Sequence, residues 1–224
     1  MWLLKVEKLL SKVDRSPKRS MIDALRPSMR ALIKDVLSKH SDVDVKVAVV
    51  SCISEITRIT APDAPYDDNQ MRLIVSTFEG LADQSSRSYA KRASILETSS
   101  KVRSCVIMLD LECDALIVEM FEHFLKSVRD YHLDSVFPLM GSIMVLVIEE
   151  SEEIPVEMLK PLLARVKKDN TPYLLPAVTA LGESLDMYTK VVTAVCKGTA
   201  ATNETNDENT YGLQRGMIIL LYIV

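Results

Sequence analysis

Residues 44–59 read DVKVAVVSCISEITRI, and the spacing of their apolar side chains decides the fold class. One set recurs at the three- and four-residue intervals of a helix and forms a single stripe: Val45, Val49, Cys52, Ile53, Ile56 and Ile59. Val47 and Val50 add a second apolar face. The β-branched residues alone would suit a strand, but the length and spacing of the segment favour a helix. We therefore predict a helix that is packed between neighbours on two sides.

The same helical pattern recurs along the chain in pairs. The turns inside the pairs fall near Lys39, Gln84 and Tyr131, so successive turns are 45 and 47 residues apart. Helical hairpins that recur at this spacing are typical of HEAT and armadillo arrays. The pattern also predicts one long helix over residues 87–108 and another helix that begins at Pro155, because proline is favoured in the first turn.

The turn of the first pair carries a further HEAT signature. A HEAT unit has an aspartate in its turn, followed by a valine and a basic residue, an order that Asp42 or Asp44, Val45 and Lys46 match. The aspartate would cap the second helix. We predict an all-α protein, a superhelical solenoid of antiparallel helix pairs of the HEAT or armadillo type, whose function is to hold other proteins.

Composition agrees with this fold class. The chain has 224 residues, of which 48% are hydrophobic, 5% are aromatic and only 6 are glycine, so a sheet protein is disfavoured. The net charge of −4 gives no whole-chain basic excess of the kind that signals nucleic-acid binding. The apolar run MIILLYIV at residues 217–224 is too short to span a bilayer.

The cysteines and histidines indicate no metal or disulfide site. Four cysteines lie in apolar or helical contexts without C-x-x-C spacing: Cys52, Cys105, Cys113 and Cys196. We interpret them as reduced core thiols of an intracellular protein. The three histidines form no H-x-x-x-H pair and flank no cysteine, so we expect neither zinc nor any other cofactor. No nucleophile, phosphate-binding or dinucleotide motif is present, so we expect no enzyme activity.

The loop RITAPDAPYDDNQM, residues 58–71, is the first candidate site. Its carboxylates at Asp63, Asp67 and Asp68 do not follow the calcium-loop pattern, so a plain inter-repeat loop is favoured over a metal site. The prolines must end the preceding helix. However, the stiff segment Pro-Asp-Ala-Pro-Tyr would also suit a preformed docking surface.

A second candidate is a basic stripe at Arg87, Lys91 and Lys101. On the expected long helix, the two lysines would lie about 40° on either side of Arg87. A solvated helix face is the simpler interpretation. The alternative is a patch for DNA, an inositol phosphate or an acidic partner.

Two segments carry a family resemblance. They are KHSDVDVKVAVVSCISEITRITAPDAPYDDNQM at residues 39–71 and SSRSYAKRASILETSSKVRSCVIMLDLECDALIVEMFEHFLKSVR at residues 85–129. Both resemble the N-terminal part of the cohesin-associated sister chromatid cohesion proteins of the precocious-dissociation-of-sisters family, most nearly the plant members. The resemblance implies a non-enzymatic HEAT scaffold in the nucleus, on chromatin. It also implies partners, namely the cohesin kleisin and the cohesin release factor, and roles in sister chromatid cohesion and DNA repair.

The resemblance also implies a role for the loop. The family motif that docks short segments of cohesin regulators matches Ala61, Pro62, Asp63, Ala64 and Pro65, with Tyr66 following. We therefore expect the loop to be exposed at the edge of the solenoid. In this hypothesis Asp63 accepts a hydrogen bond from a basic residue, Pro62 and Pro65 form rigid walls, and Tyr66 supplies apolar surface.

The resemblance extends to about residue 197, so we expect a HEAT region at residues 1–197 with a fourth repeat that is incomplete after residue 170. Residues 198–224 do not fit the family and are expected to be a polar linker with an atypical apolar tail, poorly ordered. A HEAT adaptor of an unrelated assembly, in transport or signalling, is the alternative function.

Overall fold

The computed structural model describes residues 2–63, 65–132 and 135–151, and these residues form helices and turns without a strand. The helices are α1 Trp2–Leu10, α2 Arg19–Leu32, α3 Asp35–Ser38, α4 Val43–Thr60, α5 Asp68–Thr77, α6 Tyr89–Lys101, α7 Ser104–Asp110, α8 Asp114–Ser127 and α9 Val136–Glu150. Two 3₁₀ helices, Phe78–Ala82 and Asp130–His132, precede α6 and α9. The all-α prediction is therefore confirmed. The helix at Pro155, Cys196, the fourth repeat and the tail at residues 198–224 lie outside the described residues.

Helix α4 occupies the centre of the first repeats, as its two apolar faces predict. It packs between α1 on one side and α6 on the other, and it also contacts α2, α3 and α5. Asp42 caps it, because its carboxylate accepts hydrogen bonds from the Asp44 and Val45 amides at 2.8 and 3.4 Å. Of the two aspartates that the sequence left open, Asp42 is thus the cap.

The helices form two layers with a regular period. Helices α4, α6 and α9 are neighbours in one layer, while α5 with its 3₁₀ extension lies against α8 in the other. The second helices of the three pairs begin at Val43, Tyr89 and Val136, which are 46 and 47 residues apart. This is the layered, repeating arrangement of a HEAT-type solenoid.

Side-chain hydrogen bonds between successive repeats follow the same period. The Ser127 hydroxyl donates to the Phe78 carbonyl at 3.0 Å, 49 residues away, and the Tyr131 hydroxyl donates to the Ala82 carbonyl at the same separation. Arg103 pairs with Glu150, 47 residues on, at 2.6 Å. The second and third repeats are thus tied together by three contacts that each span about one period.

The expected long helix over residues 87–108 is wrong. Helix α6 begins only at Tyr89 and ends at Lys101, and α7 begins at Ser104. Between them Arg103 adopts a left-handed conformation with φ of 56°, which no right-handed helix accommodates. Arg103 also forms the ion pair with Glu150. This tertiary contact lies at the break between α6 and α7, where the sequence has no glycine or proline.

The core runs through all the described repeats and contains the predicted thiols. Cys52, Cys105 and Cys113 are buried and unbridged. Burial raises the pKa of Cys52 to about 12 and that of Cys105 to about 11, so these thiols stay protonated and unreactive. Within the described part of the chain, no helix has the length and apolar content to cross a membrane.

Candidate partner-binding cleft

The loop at residues 61–66 is held by the elements on both sides of it. Ala61 ends α4, with its amide donating to the Thr57 carbonyl at 3.0 Å, and its own carbonyl accepts from the Ser16 hydroxyl at 3.1 Å. The Asp63 amide donates to the Thr60 carbonyl at 2.9 Å. The loop therefore has a fixed backbone around Pro62 and Asp63, as a preformed surface requires.

Only part of the loop is accessible. Pro62 and Asp63 are exposed and Pro65 is half-buried, whereas Ala61 and Tyr66 are only 2% and 5% exposed. Ala64 lies outside the described residues. The expectation that the whole segment is exposed, with Tyr66 as its apolar docking surface, is therefore wrong for Ala61 and Tyr66.

Tyr66 is buried because of its position before α5. Asp67 and Gln70 form a capping box, in which the Asp67 carboxylate accepts from the Gln70 amide and the Gln70 side chain accepts from the Asp67 amide, both at 3.1 Å. Tyr66 directly precedes the capping residue Asp67, and Met71 lies four residues after Asp67. These are the two positions of a hydrophobic staple, and both side chains are buried in the core. The pattern Y-D-x-x-Q-M is visible in the sequence and could have predicted this outcome.

The capping box also explains one of the loop carboxylates. Asp67 is used by the helix terminus rather than by a metal ion. Among the described residues, no group of His, Cys, Asp and Glu is arranged to hold a metal.

The accessible part of the loop forms one wall of a cleft with a volume of about 520 Å³. That volume is typical of sites for small molecules or for a few peptide side chains. The opposite wall is α2, and the loop between α1 and α2 closes one end. The lining residues are Ser16, Pro17, Ile22, Arg26, Met29, Arg30, Ile33, Ile59, Thr60, Pro62, Asp63, Pro65, Tyr66 and Gln70.

The cleft has an apolar interior and opposite charges on its two walls. Arg26 and Arg30 lie on the α2 wall, and Asp63 lies on the loop wall. Tyr66 forms part of the interior, with its hydroxyl buried and without a hydrogen-bond partner among the described residues. Burial raises the pKa of this phenol, so it stays neutral. The cleft can accept a short segment that carries an apolar side chain and a charged group.

The structure does not bring the basic stripe together as expected. Arg87 lies in the turn before α6, so the helical-wheel relation to the two lysines does not apply to it. Lys91 pairs with Glu7 of α1 at 2.5 Å, and Lys101 pairs with Glu97 at 2.6 Å. The prediction that all three share one helix face is wrong, because the helix begins two residues later than its sequence pattern indicates.

Fold and cleft together define a HEAT-type helical-repeat protein with a peptide-sized cleft beside an inter-repeat loop. The family model described as "Sister chromatid cohesion protein PDS5 protein" matches residues 2–202. The chain belongs to this family of sister chromatid cohesion proteins.

Similar proteins are found in plants and fungi. The chain is 57% identical over 215 residues to sister chromatid cohesion protein PDS5 homolog C of Arabidopsis thaliana. The matched region covers 85% of this chain and 25% of that protein. It is 45% identical over 229 residues to homolog E of the same plant, with 91% of this chain and 23% of the relative covered. It is 33% identical over 135 residues to PDS5 of Saccharomyces cerevisiae, with 58% and 10% covered. The chain thus spans about a quarter of the length of homologs C and E.

A solved structure has the same fold. A chain from the structure of the Pds5-Scc1 complex matches with a TM-score of 0.78 and 24% sequence identity, covering 99% of this chain and 35% of that one. At this identity the likeness bears on the fold alone, and it agrees with the HEAT-type solenoid described above.

Proposed function

We propose that this chain is a non-enzymatic scaffold that binds cohesin and its regulators and so controls sister chromatid cohesion and the release of cohesin from chromatin. Family membership supports the process, and the relative solved as a complex with Scc1 supports a kleisin partner. In this proposal the protein acts in the nucleus, bound to chromatin through cohesin, with a further role in DNA repair.

The cleft is the observation that carries the docking part of this proposal. Pro62 and Pro65 form rigid lining, Asp63 is exposed beside them, and Tyr66 contributes to the apolar interior rather than to an outer surface. A rigid cleft loses little conformational entropy on binding. A short segment of a cohesin regulator, such as the release factor, would place an apolar side chain inside and a basic group at Asp63. Ala61 acts indirectly in this proposal, by fixing the loop backbone.

The test is binding of the release factor to the Asp63→Lys variant. If Asp63 pairs with a charged donor, the substitution should weaken binding by about 1–3 kcal/mol, or roughly 5- to 150-fold. The control is Asp110→Lys, which makes the same charge change at an exposed position at the end of α7, outside the cleft lining. Calorimetry or anisotropy would measure the affinities, and circular dichroism would check that both variants fold.

Two results would count against the proposal. Unchanged affinity of Asp63→Lys would remove the loop from the docking site and leave it as a turn between repeats. Immunoprecipitation that recovers many proteins but no cohesin subunit would contradict the scaffold function itself.

A further inference from the structure

The segment from residue 11 to residue 40 concentrates positive charge. It holds eight Lys and Arg and three Asp, a net charge of +5, whereas the whole chain carries −4, so the other residues together carry −9. Six of its cations are exposed and form no ion pair within the described part of the chain. They are Lys12, Arg15, Lys18, Arg19, Arg30 and Lys34.

Cations elsewhere in the described repeats are mostly paired. From α4 to α9, six Lys and Arg form ion pairs: Arg58, Arg72, Lys91, Lys101, Arg103 and Lys126. Arg92 and Arg129 donate to backbone carbonyls instead. Lys46 and Arg87 of these ten, together with Lys5 and Lys8 of α1, have no such partner among the described residues. The unpaired charge of residues 12–34 is thus a local feature and not a property of the whole solenoid.

On α2 the arginines form a row. Offsets of 7 and 11 residues place Arg26 and Arg30 about 20° on either side of Arg19 around the helix, and the row is about 17 Å long. Arg26 pairs with Asp23 at 3.0 Å, but both side chains are more than half exposed, and such a pair is weak and easily exchanged. Three guanidinium groups can therefore face one extended ligand.

We propose that this cationic segment, residues 12–34, binds the phosphate backbone of duplex DNA directly and without sequence preference. Duplex DNA carries one negative charge per about 1.7 Å of its axis, so an extended row of cations matches an extended row of phosphates. A compact polyphosphate would need cations that converge, and only Arg26 and Arg30 of this segment line the same cleft. This inference goes beyond the proposed scaffold function, in which chromatin is reached through cohesin.

The apolar residues of α2 do not favour a membrane as the ligand. Ile22, Leu25 and Met29 pack against the core, and Met21 is the exposed large apolar side chain of this helix. An interfacial helix would need a broad free apolar face beside its cations. The arginine row on α2 has no such free apolar face beside it.

Acidic groups limit where the DNA can lie. Asp23 stands within the arginine row, Asp14 lies in the same segment and Asp35 directly follows it, and Asp63 lies across the cleft. Repulsion from Asp63 would keep phosphates off the loop wall and on the outer side of α2. The DNA surface and the partner cleft therefore share Arg26 and Arg30 on α2 but differ at the loop wall, which carries Asp63.

The experiment measures the affinity of the full 224-residue chain for a labelled 30-base-pair duplex by anisotropy, from 50 to 200 mM NaCl. With about five phosphate contacts, the logarithm of the association constant plotted against the logarithm of the NaCl concentration should have a slope of about −4 to −5. The double variant Arg19→Ala, Arg30→Ala should make the slope shallower by about 2 and weaken binding roughly 60-fold at 0.1 M salt. Both residues are exposed and unpaired within the described chain, so the variant should keep the wild-type melting temperature.

The matched control is Lys101→Ala, Lys126→Ala, which removes the same charge from two exposed cations on α6 and α8, outside the cationic segment. Its slope should equal that of the wild type. A wild-type slope shallower than −1, or an equal loss in the control, would overturn the proposal. Tighter binding to a polyglutamate peptide or to anionic vesicles than to the duplex would also overturn it, in favour of that ligand. Asp63→Lys should leave the slope no shallower than wild type, which separates this surface from the partner cleft.

Discussion

Gly80 is expected to accept a side chain only if Arg92 moves, because the Arg92 guanidinium occupies the space beside it. A Cβ added to Gly80 would lie 2.3 Å from the Arg92 Cζ atom, well inside van der Waals contact. Arg92 is held there by hydrogen bonds, from Nη1 to the Thr77 carbonyl at 2.5 Å and from Nε to the Ser88 hydroxyl at 3.2 Å. Gly80→Ala must therefore displace a guanidinium group that stabilises the turn between α5 and α6.

The magnitude follows from two opposed effects. A hydrogen bond to a charged group contributes about 1.5–3 kcal/mol, and displacement would weaken at least one of them. Replacing glycine by alanine restricts the unfolded chain and stabilises by about 0.4–1 kcal/mol, since Gly80 does not have a positive φ. The net effect should be a loss of about 1–2 kcal/mol, which corresponds to a fall in Tm of roughly 3–6 °C in a protein of this size.

A double-mutant cycle gives the decisive assay. Thermal or urea unfolding would be followed for wild type, Gly80→Ala, Arg92→Ala and the double variant. In the Arg92→Ala background the clash is gone, so Gly80→Ala should become neutral or stabilising. The same destabilisation in both backgrounds would refute the role assigned to the Gly80–Arg92 contact.

Three further predictions concern single side chains. Tyr66→Phe removes a buried hydroxyl with no partner among the described residues, so the free energy of unfolding should rise by about 1 kcal/mol, and a loss of stability would contradict the geometry. Asp67→Ala should destabilise by about 0.5–2 kcal/mol through loss of the cap, whereas the adjacent Asp68→Ala should have less effect; equal losses would argue against the capping box. Burial lowers the pKa of His132, so the unfolded chain binds that proton more tightly and stability should fall as the pH drops below about 6.5. His132→Leu should flatten this dependence, and an unchanged pH profile would exclude His132 as its source.

The central helix could be predicted from sequence because its burial is nearly complete. A side chain of α4 on either apolar face meets a neighbouring helix, so the pattern at Val47 and Val50 carried direct information about packing. The break at Arg103 could not be predicted in the same way. It accompanies an ion pair with Glu150, 47 residues away, and local propensity does not report such a contact.

The loop at residues 61–66 was predicted in position but not in exposure. Its prolines mark the end of α4, and that local signal is reliable. The burial of Tyr66 depends on the capping box that begins at Asp67, a pattern of three or four residues that is easily read as plain loop. The other wall of the cleft comes from α2, more than 30 residues earlier, and no local pattern joins Arg26 to Asp63.

Charge was the least predictable property. The whole chain has a net charge of −4, yet residues 12–34 have a net charge of +5. The sequence also does not show whether a given lysine lies beside a carboxylate in the fold. Lys91 is an example, since its partner Glu7 is 84 residues away. Two of the three cations in the candidate basic stripe, Lys91 and Lys101, have carboxylate partners, whereas six unpaired cations lie in the segment at residues 12–34.

The period of the contacts has a mechanical consequence. Most of the long-range side-chain hydrogen bonds of the described chain join residues one period apart, and the bond between Lys91 and Glu7 spans nearly two. A pulling force applied along the solenoid would therefore pass through each contact between successive repeats in turn. Helix pairs would then detach one at a time. Resistance should be greatest where α1, α4 and α6 are joined through Glu7, which also accepts from Ser51 at 2.7 Å. A solenoid joined in this way could yield in such steps and regain its shape when the load is released.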